Sequence, residues 1–390
     1  MYKIDCEVFN ISKVRIRVLE PCPAVTAFQD STMGPFETFG IAIMTLEDED
    51  GNIGEAPVYS TYKNVLENLL LPILFHCHKM PYSKLYPKLY WSIRNEGFRG
   101  QASALLGQID VALYDLAARR HGVPLHKYLN AERSQVKFYG SGGGINYSLE
   151  ELETEVIDFL EAGADCYKMK VGKDFGSNMK EDVERVKFVR NLVGDKIKLA
   201  VDANQVWTRE QALQFLDMAG SVDLAWFEEP IHSASFDEIE KLCKSTPVVI
   251  SYGESERTSK SFPALANIGV RHFQPIPTQM GSVKEWMEVK DLAQRSQIQF
   301  SAGGYSWFTA SLMAAANEDC KVEYLYAIMY SLEQYFDVLP EWKNGLFILP
   351  DKAGIGAQVD WNYCNRENKI INEMRWSKRD MRSYSPAVSI

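Results

Sequence analysis

Two lysines in the stretch CYKMKVG, residues 166–172, could act together on one chemical group. The stretch reads as a β-strand, and alternate side chains of a strand point to the same face. Lys168 and Lys170 therefore share a face, and Met169 points to the other one. Lysine is among the residues least often buried without a partner. The pair therefore calls for negatively charged groups at the end of this strand.

Three acidic residues end the next three predicted strands: Asp202 in LAVDAN, Glu228 in AWFEEP and Glu254 in ISYGE. Their spacing is regular, since 228 − 202 = 26 and 254 − 228 = 26, which suits one strand–helix unit of a barrel. Carboxylates so close together raise one another's pKa, and a divalent cation with oxygen ligands, Mg²⁺ above all, would hold them ionised. The alternative is that each is an ordinary loop residue that caps the helix after it.

Short apolar strands alternate with amphipathic helices from about Val136 onward, and this order positions the charged residues. The predicted strands are VKFYGS, CYKMKV, KLAVDAN, LAWFEEP, VVISYGE, RHFQPI, IQFSAGG and KVEYLYAI. Eight such strands indicate parallel units closed into a barrel, with an open doubly wound sheet as the alternative. Residues 1–134 read as a small α+β domain and 135–345 as the barrel. Residues 346–390 break the pattern and read as a segment returning to the small domain.

Composition and charge make several kinds of partner unfavourable. The chain has 390 residues, 46% of them hydrophobic, which suffices for a large core, and its net charge of −10 disfavours nucleic acid or an anionic membrane as a partner. The sequence shows no signal peptide and no apolar run of about 18 residues. Its seven cysteines are scattered without a CxxC pair. These features predict a cytoplasmic protein with reduced thiols that acts on a small molecule.

The ordered motifs YKMKVG, VDANQVW, WFEEP and YGE resemble those of the enolase superfamily, in its mandelate racemase and muconate-lactonizing branch. The resemblance also includes ALLGQIDVALYDLAARRHGVPLHKYL and NGLFILPDKAGIG, so it spans nearly the whole chain. It implies an α/β fold, a modified TIM barrel of the (β/α)7β type with an N-terminal α+β capping domain. It also implies a homo-oligomer.

The resemblance assigns roles to the charged residues. It implies that Asp202, Glu228 and Glu254 bind Mg²⁺, which in turn binds the carboxylate of a small-molecule substrate. Lys170 would remove the α-proton, its pKa lowered by cationic neighbours, and Lys168 would help to bind the carboxylate. Glu323 in KVEYLY matches a glutamate near the bound carboxylate, with a solvated strand-end charge as the alternative. Asn204 follows Asp202 by two residues and is expected to face the same mouth, where it would contact the substrate or a metal-bound water.

The second acid or base of many superfamily members is missing from this chain. Ile276 stands where one branch has an aspartate, Gly303 where it has a histidine, and Gln279 where another branch has a lysine. Racemisation needs a group on each face of the substrate, so dehydration, which can use one face, is preferred. Epimerisation or cycloisomerisation, and a barrel that binds metal and ligand without turnover, remain the alternatives.

The substrate is expected to be a sugar acid, because polar side chains surround the predicted mouth. Ser301 and Tyr305 are candidates for substrate binding or for a weak acid, with a packing role as the alternative. In the cap, Phe28 and Tyr59 are candidates for substrate contacts. The exact substrate is not readable from these residues.

Overall fold

The first part of the chain forms a cap of antiparallel strands and helices, in a computed structural model that describes residues 2–76 and 78–379. Its strands are β1 Val8–Phe9, β2 Ile11–Leu19, β3 Cys22–Phe28, β4 Phe36–Phe39, β5 Ala42–Asp48, β6 Ile53–Pro57 and β7 Met80–Pro81. Its helices are α1 Lys63–Val65, α2 Leu71–His76, α3 Tyr82–Ser92, α4 Gln101–Arg120 and α5 Leu125–Tyr128. Strands β2, β5 and β6 form one antiparallel sheet.

Eight parallel strands follow and close into a barrel. The strands are β8 Gln135–Gly142, β9 Cys166–Lys170, β10 Lys198–Asp202, β11 Leu224–Glu228, β12 Ile250–Tyr252, β13 His272–Phe273, β14 Gln299–Ala302 and β15 Lys321–Leu325. The helices are α6 Leu149–Glu161, α7 Met179–Val193, α8 Arg209–Ala219, α9 Phe236–Ser245, α10 Phe262–Asn267, α11 Val283–Arg295, α12 Ser306–Met313 and α13 Tyr326–Leu332. Because β15 pairs with β8, the predicted closed barrel is confirmed and the open sheet is excluded.

The C-terminal part of the chain contacts both the barrel and the cap. Its elements are β16 Phe336–Val338, β17 Glu341–Lys343, β18 Leu346–Ile348, β19 Gln358–Val359, α14 Trp361–Arg366 and β20 Ile370–Ser377. Strand β18 pairs with β8 of the barrel, whereas β20 pairs antiparallel with β2 of the cap sheet. Residues 380–390, which belong to the predicted returning segment, lie outside the described residues.

Helix α4 of the cap packs against the barrel. Every residue from 102 to 118 is buried, and a Cβ at Gly107 would lie 1.7 Å from the carbonyl oxygen of Met280. Only glycine allows this approach. Asp110 accepts hydrogen bonds from the Tyr82 hydroxyl at 2.6 Å and from the Val283 amide at 2.8 Å. These contacts position the loop between β13 and α11. No helix within the described ranges is long and apolar enough to cross a membrane.

Candidate active site

Both predicted lysines lie at the carboxyl end of the barrel, among acidic side chains. Lys170 Nζ is 2.5 Å from Asp202 Oδ2. Lys168 Nζ donates to Glu228 Oε2 at 2.7 Å and lies 3.4 Å from Asp202 Oδ2. The register of the strands explains these contacts. Asp202 of β10 is paired with Lys170 of β9 on one side and with Glu228 of β11 on the other. Barrel enzymes carry their chemistry at this end of the strands.

Glu323 completes this ionic cluster from the eighth barrel strand. Its Oε1 accepts from Ser141 Oγ at 2.7 Å and lies 2.8 Å from Lys168 Nζ. Its Oε2 lies against Gly303, where a Cβ would be only 2.2 Å away. The Glu323 carboxylate therefore occupies the space beside Gly303, the position at which one branch of the superfamily has a histidine.

Opposite charges decide the protonation of these side chains. Burial acts to lower the pKa of Lys170, but the Asp202 carboxylate outweighs it, and the pKa is raised. The sequence-based expectation of a lowered pKa is therefore wrong for this arrangement of charges. Burial acts to raise the pKa of Asp202, yet Lys170 and Lys168 bring it below its usual value.

Two further glutamates make the mouth richer in acids than in bases. Burial, followed by the charges of Glu229, Asp202 and Glu228, raises the pKa of Glu254 well above its usual value. Burial and the Asp202 charge raise the pKa of Glu229 to about 7. A divalent cation would supply the positive charge that keeps such carboxyl groups ionised.

The oxygen atoms of the acidic and amide side chains at this end of the barrel are of the kind that a hard divalent cation prefers. They are carboxylate and amide oxygens, and two of them, Asn204 Oδ1 and Glu229 Oε1, are buried without a hydrogen-bond partner in the described residues. In the present arrangement Lys168 contacts both Asp202 and Glu228. No three Asp, Glu, His or Cys side chains in the described ranges stand close enough together to hold an ion. Asp202, Glu228 and Glu254 as metal ligands therefore stay a prediction.

The loops after β10 and β11 hold their residues in an unusual backbone conformation. Asn204, Gln205 and Glu229 have φ angles of 41°, 67° and 36°, which are uncommon for residues other than glycine. Hydrogen bonds from Gln205 to Glu229, at 2.7 Å for both the backbone and the side-chain pair, join the two loops. The turn brings Asn204 close to Asp202. The backbone amide of Asn204 donates a hydrogen bond to Asp202 Oδ1 at 2.9 Å.

The other candidates from the sequence lie at different depths. Ser301 is buried inside the barrel, 2.9 Å from both His272 Nε2 and Gln274 Oε1. Tyr305 is half-buried at the end of β14. Phe28 of the cap is buried against the Tyr147 ring, with centroids 6.3 Å apart.

The positions of the missing second acid or base form a neutral wall. Ile276 is buried, with 8% of its surface exposed. Gln279 Nε2 donates to the hydroxyl of Tyr59, a cap residue, at 2.6 Å. With Gly303 and Tyr305, they line the ends of β13 and β14, and none of these side chains carries a charge.

A buried polar network beneath the cluster was not anticipated. Trp226 Nε1 donates to Glu228 Oε2 at 3.1 Å, and its ring contacts that of His272 at a centroid distance of 4.7 Å. Gln274 accepts from Tyr139 at 2.8 Å and from Ser301. Burial lowers the pKa of His272 to about 3, so this layer is neutral. Trp226 and Glu228 share a strand face, and that alternation was the available signal.

Fold and site together define a class: a capped parallel barrel with lysines and carboxylates at its mouth. The chain belongs to the enolase superfamily, because the family model described as enolase C-terminal domain-like matches residues 151–363, more than half of it. A racemase structure from Streptomyces coelicolor with bound magnesium superposes with a TM-score of 0.83, at 25% identity over 91% of this chain and 99% of that one.

Two related sequences carry different activities. One is the 3,6-anhydro-alpha-L-galactonate cycloisomerase of Streptomyces coelicolor, 26% identical over 88% of this chain and 96% of its own length. The other is the arabinonate dehydratase of Saccharolobus solfataricus, 29% identical over 82% of this chain and 88% of its own length. Both are distant, so they agree on the superfamily and leave the reaction open.

Proposed function

We propose that the protein is a Mg²⁺-dependent lyase that removes the α-proton of a sugar acid and expels a β-hydroxyl group. The observation that carries this proposal is the contact of Lys168 and Lys170 with Asp202, Glu228 and Glu323 at one end of the barrel. A proton acceptor, cations for a carboxylate and oxygen ligands for a metal thus lie together, as α-proton abstraction requires.

Asp202, Glu228 and Glu254 would hold the metal. When bound, Mg²⁺ would supply positive charge that stabilises the negative charge on the substrate and competes with Lys170 for Asp202, which lowers the pKa of Lys170. Lys168, fixed by Glu228 and Glu323, orients one substrate carboxylate. Lys170 then accepts the α-proton at Nζ. The electron pair left on the α-carbon forms the double bond as the β-carbon–oxygen bond breaks.

The neutral wall supports dehydration over racemisation. The expelled hydroxide needs one proton to leave as water, and the protonated Lys170 can return the one that it took. Inversion at the α-carbon instead needs a proton from the other face. There Ile276 and Gly303 offer none, and Gln279 is a neutral amide. Tyr305 has a hydroxyl, but burial raises its pKa, which makes it a weaker proton donor. The enol product becomes a 2-keto acid by gaining a proton at carbon.

Cycloisomerisation is the second candidate, because it also needs an acid or base on only one face. It is favoured by the 26% identity to a cycloisomerase over 88% of this chain. Its substrate would lose an internal ether or ester oxygen from the β-carbon, and no water would be released.

One experiment separates these reactions. The protein is incubated with Mg²⁺ and a panel of sugar acids and their lactones in D₂O, and the products are examined by NMR and mass spectrometry. A 2-keto acid 18 mass units lighter than its substrate, before deuterium is counted, supports dehydration. An isomer of unchanged mass but altered connectivity supports cycloisomerisation, and α-deuterium with inverted configuration and unaltered connectivity supports epimerisation. Ligand binding without product or exchange would contradict the proposal and support a barrel without turnover.

A further inference from the structure

The main chain at the end of β9 is held from two sides, by the barrel and by the cap. Arg185 of α7 donates a hydrogen bond from Nη1 to the backbone carbonyl of Lys170 at 3.2 Å. Ser31 of the cap, which is also buried, donates from Oγ to the carbonyl of Val171 at 2.5 Å. Two successive carbonyls at the proposed base are therefore fixed by side chains from separate parts of the chain.

Asp182 holds the amides that follow on the same stretch. It is buried on α7, three residues before Arg185, and residues three apart lie on the same face of a helix. Its carboxylate accepts from the Gly172 amide at 3.0 Å and from the Lys173 amide at 3.1 Å. One face of α7 thus binds both the carbonyl of the proposed base and the amides just after it.

Arg185 also joins the end of β9 to the loop after β8. The parallel pairing of these two strands ends at Gly142 and Met169. Beyond that pair, Arg185 Nη2 donates to the carbonyls of Gly143 at 3.0 Å and Gly144 at 2.6 Å. The guanidinium therefore connects the two strands where their ladder stops, and the proposed base otherwise has a ladder partner only on β10.

The burial of this guanidinium is not explained by an ion pair. Arg185 is 2% exposed and forms no ion pair with a described residue, and its Nε has no hydrogen-bond partner among them. Burying a charge without an opposite charge is unfavourable. Arg190, further along the same helix, is only partly buried. Its guanidinium also donates to backbone carbonyls, those of Gly194, Ile197 and Asp223. Of these two arginines, only Arg185 contacts the strand end that carries the proposed base.

We propose that Arg185 and Ser31 are positioning residues, which fix the main chain of Lys170 from the barrel and from the cap so that its Nζ reaches the substrate α-proton. The inference rests on the proposed function, in which Lys170 is the base. A lysine side chain is long and flexible, so its reach is defined only if its main chain is fixed. A displacement of about 1 Å at a reacting group can cost about a hundredfold in rate.

Lys168 should not depend on these contacts, because it lies within the strand ladder. It is paired with Ser141 of β8 on one side and with Ala200 of β10 on the other. In the proposed function Lys168 orients the substrate carboxylate. Loss of Arg185 should therefore lower kcat and leave KM nearly unchanged, as expected for an interaction that acts on the chemical step alone.

Two variants test the proposal with the sugar acid of the panel that the wild type converts fastest in the presence of Mg²⁺. Arg185→Lys keeps the charge but cannot reach the carbonyls of both strand ends, so kcat should fall about ten- to a hundredfold with KM within about twofold. Ser31→Ala removes one hydrogen bond, and kcat should fall about fivefold. The matched control is Arg190→Lys, which should keep the kcat and KM of the wild type.

Hydrogen–deuterium exchange of the backbone amides, followed by mass spectrometry without substrate, measures the positioning directly. In Arg185→Lys the segments 142–146 and 170–173 should exchange about tenfold faster than in the wild type, because their shared anchor is weakened. Arg190→Lys should leave both segments unchanged. Melting temperature and circular dichroism show whether each variant is folded. If Arg185→Lys does not fold, Ser31→Ala and exchange of residues 170–173 decide the proposal.

The outcomes separate the positioning role from the proposed function. Lower kcat at constant KM together with faster exchange in Arg185→Lys, but not in Arg190→Lys, supports the proposal. A wild-type kcat, a change in KM alone or unchanged exchange in the deciding variant overturns it and leaves the proposed function standing. An equal loss of kcat in Arg190→Lys also overturns it, because the effect would then belong to the packing of α7. Absence of turnover of every panel compound by the wild type overturns both.

Discussion

The wall of the mouth built by β9, β10 and β11 is ionic, whereas the wall built by β13 and β14 is neutral. On the first wall Lys168 lies within 3.4 Å of two carboxylates, those of Asp202 and Glu228, and it also contacts Glu323 of β15. On the second, Gln279 bonds to a tyrosine of the cap and Gly303 has no side chain. Under the proposed function, this difference would confine proton transfer to the face of the substrate that lies against the ionic wall.

The largest effect is expected from removing the proposed base of the ionic wall. Lys170→Met keeps the length of the side chain and removes the amine, so exchange of the substrate α-proton with D₂O should fall about 10²- to 10⁴-fold. The control is Lys173→Met, three residues further on, which removes a lysine paired with Glu181 outside the cluster and should leave exchange unchanged. Exchange at the wild-type rate in Lys170→Met would show that another group is the base.

The next effect tests the boundary between the two walls. In Gly303→Ala the new Cβ would stand 2.2 Å from Glu323 Oε2, so Glu323 must turn away from Ser141 and Lys168. Loss of these contacts should reduce the free energy of unfolding by about 1–3 kcal/mol, measured by urea denaturation. Gly100→Ala is the control, since its Cβ would meet nothing within 4 Å. Equal stability of the two variants would mean that Glu323 does not depend on this space.

A smaller effect tests the neutral layer beneath the ionic wall. Trp226→Phe keeps an aromatic ring and removes the indole N–H that donates to Glu228. The Kd for Mg²⁺ should therefore rise about tenfold or more. It is measured by calorimetry on the protein without substrate. Trp207→Phe is the matched control, because its buried indole donates to the Gly176 carbonyl instead. Equal weakening of Mg²⁺ binding in both variants would assign the effect to packing, not to the hydrogen bond on Glu228.

The last prediction concerns the attachment of the neutral wall to the cap through Asp110. Burial raises the pKa of Asp110 to about 7, against about 3.9 in an unfolded chain. Between these values the folded chain holds a proton that the unfolded chain has lost, so this group makes stability fall as pH rises from about 4 to about 7. Its contribution is at most about 1.4 kcal/mol per pH unit.

Urea denaturation at several pH values compares the wild type with Asp110→Asn, which cannot titrate. The fall in unfolding free energy between about pH 4 and pH 7 should be shallower in the variant. The same slope in both proteins would contradict the raised pKa. Asp50→Asn, on an exposed turn of the cap, is the control and should keep the wild-type slope.

The alternation of strand residues made the barrel and its ionic wall predictable. Lys168 and Lys170 were placed on one face, and the acids that end β10 and β11 were placed beside them, because inward residues at the same strand end must meet. All eight predicted strands occur, and β15 closes on β8. The alternation of residues within a strand and the spacing between the acidic residues can be read along the chain, so the sequence alone was enough to show them.

What was missed depends on contacts between residues far apart in the chain. Alternation points Glu229 away from the mouth, but its φ of 36° brings it into the acidic cluster. Gly303 reads as a lost histidine, and only the fold shows that Glu323 lies against it. The lowered pKa expected for Lys170 assumed cationic neighbours, whereas Asp202 is the nearer charge.

The pairing of β20 with β2 has a consequence for the biosynthesis of the protein. The cap sheet that begins with residues 11–19 receives its edge strand only when residues 370–377 arrive, after the whole barrel has been translated. A nascent chain on the ribosome thus carries an incomplete cap sheet until these residues have emerged. Completion of the cap sheet would then be one of the last folding events to follow synthesis.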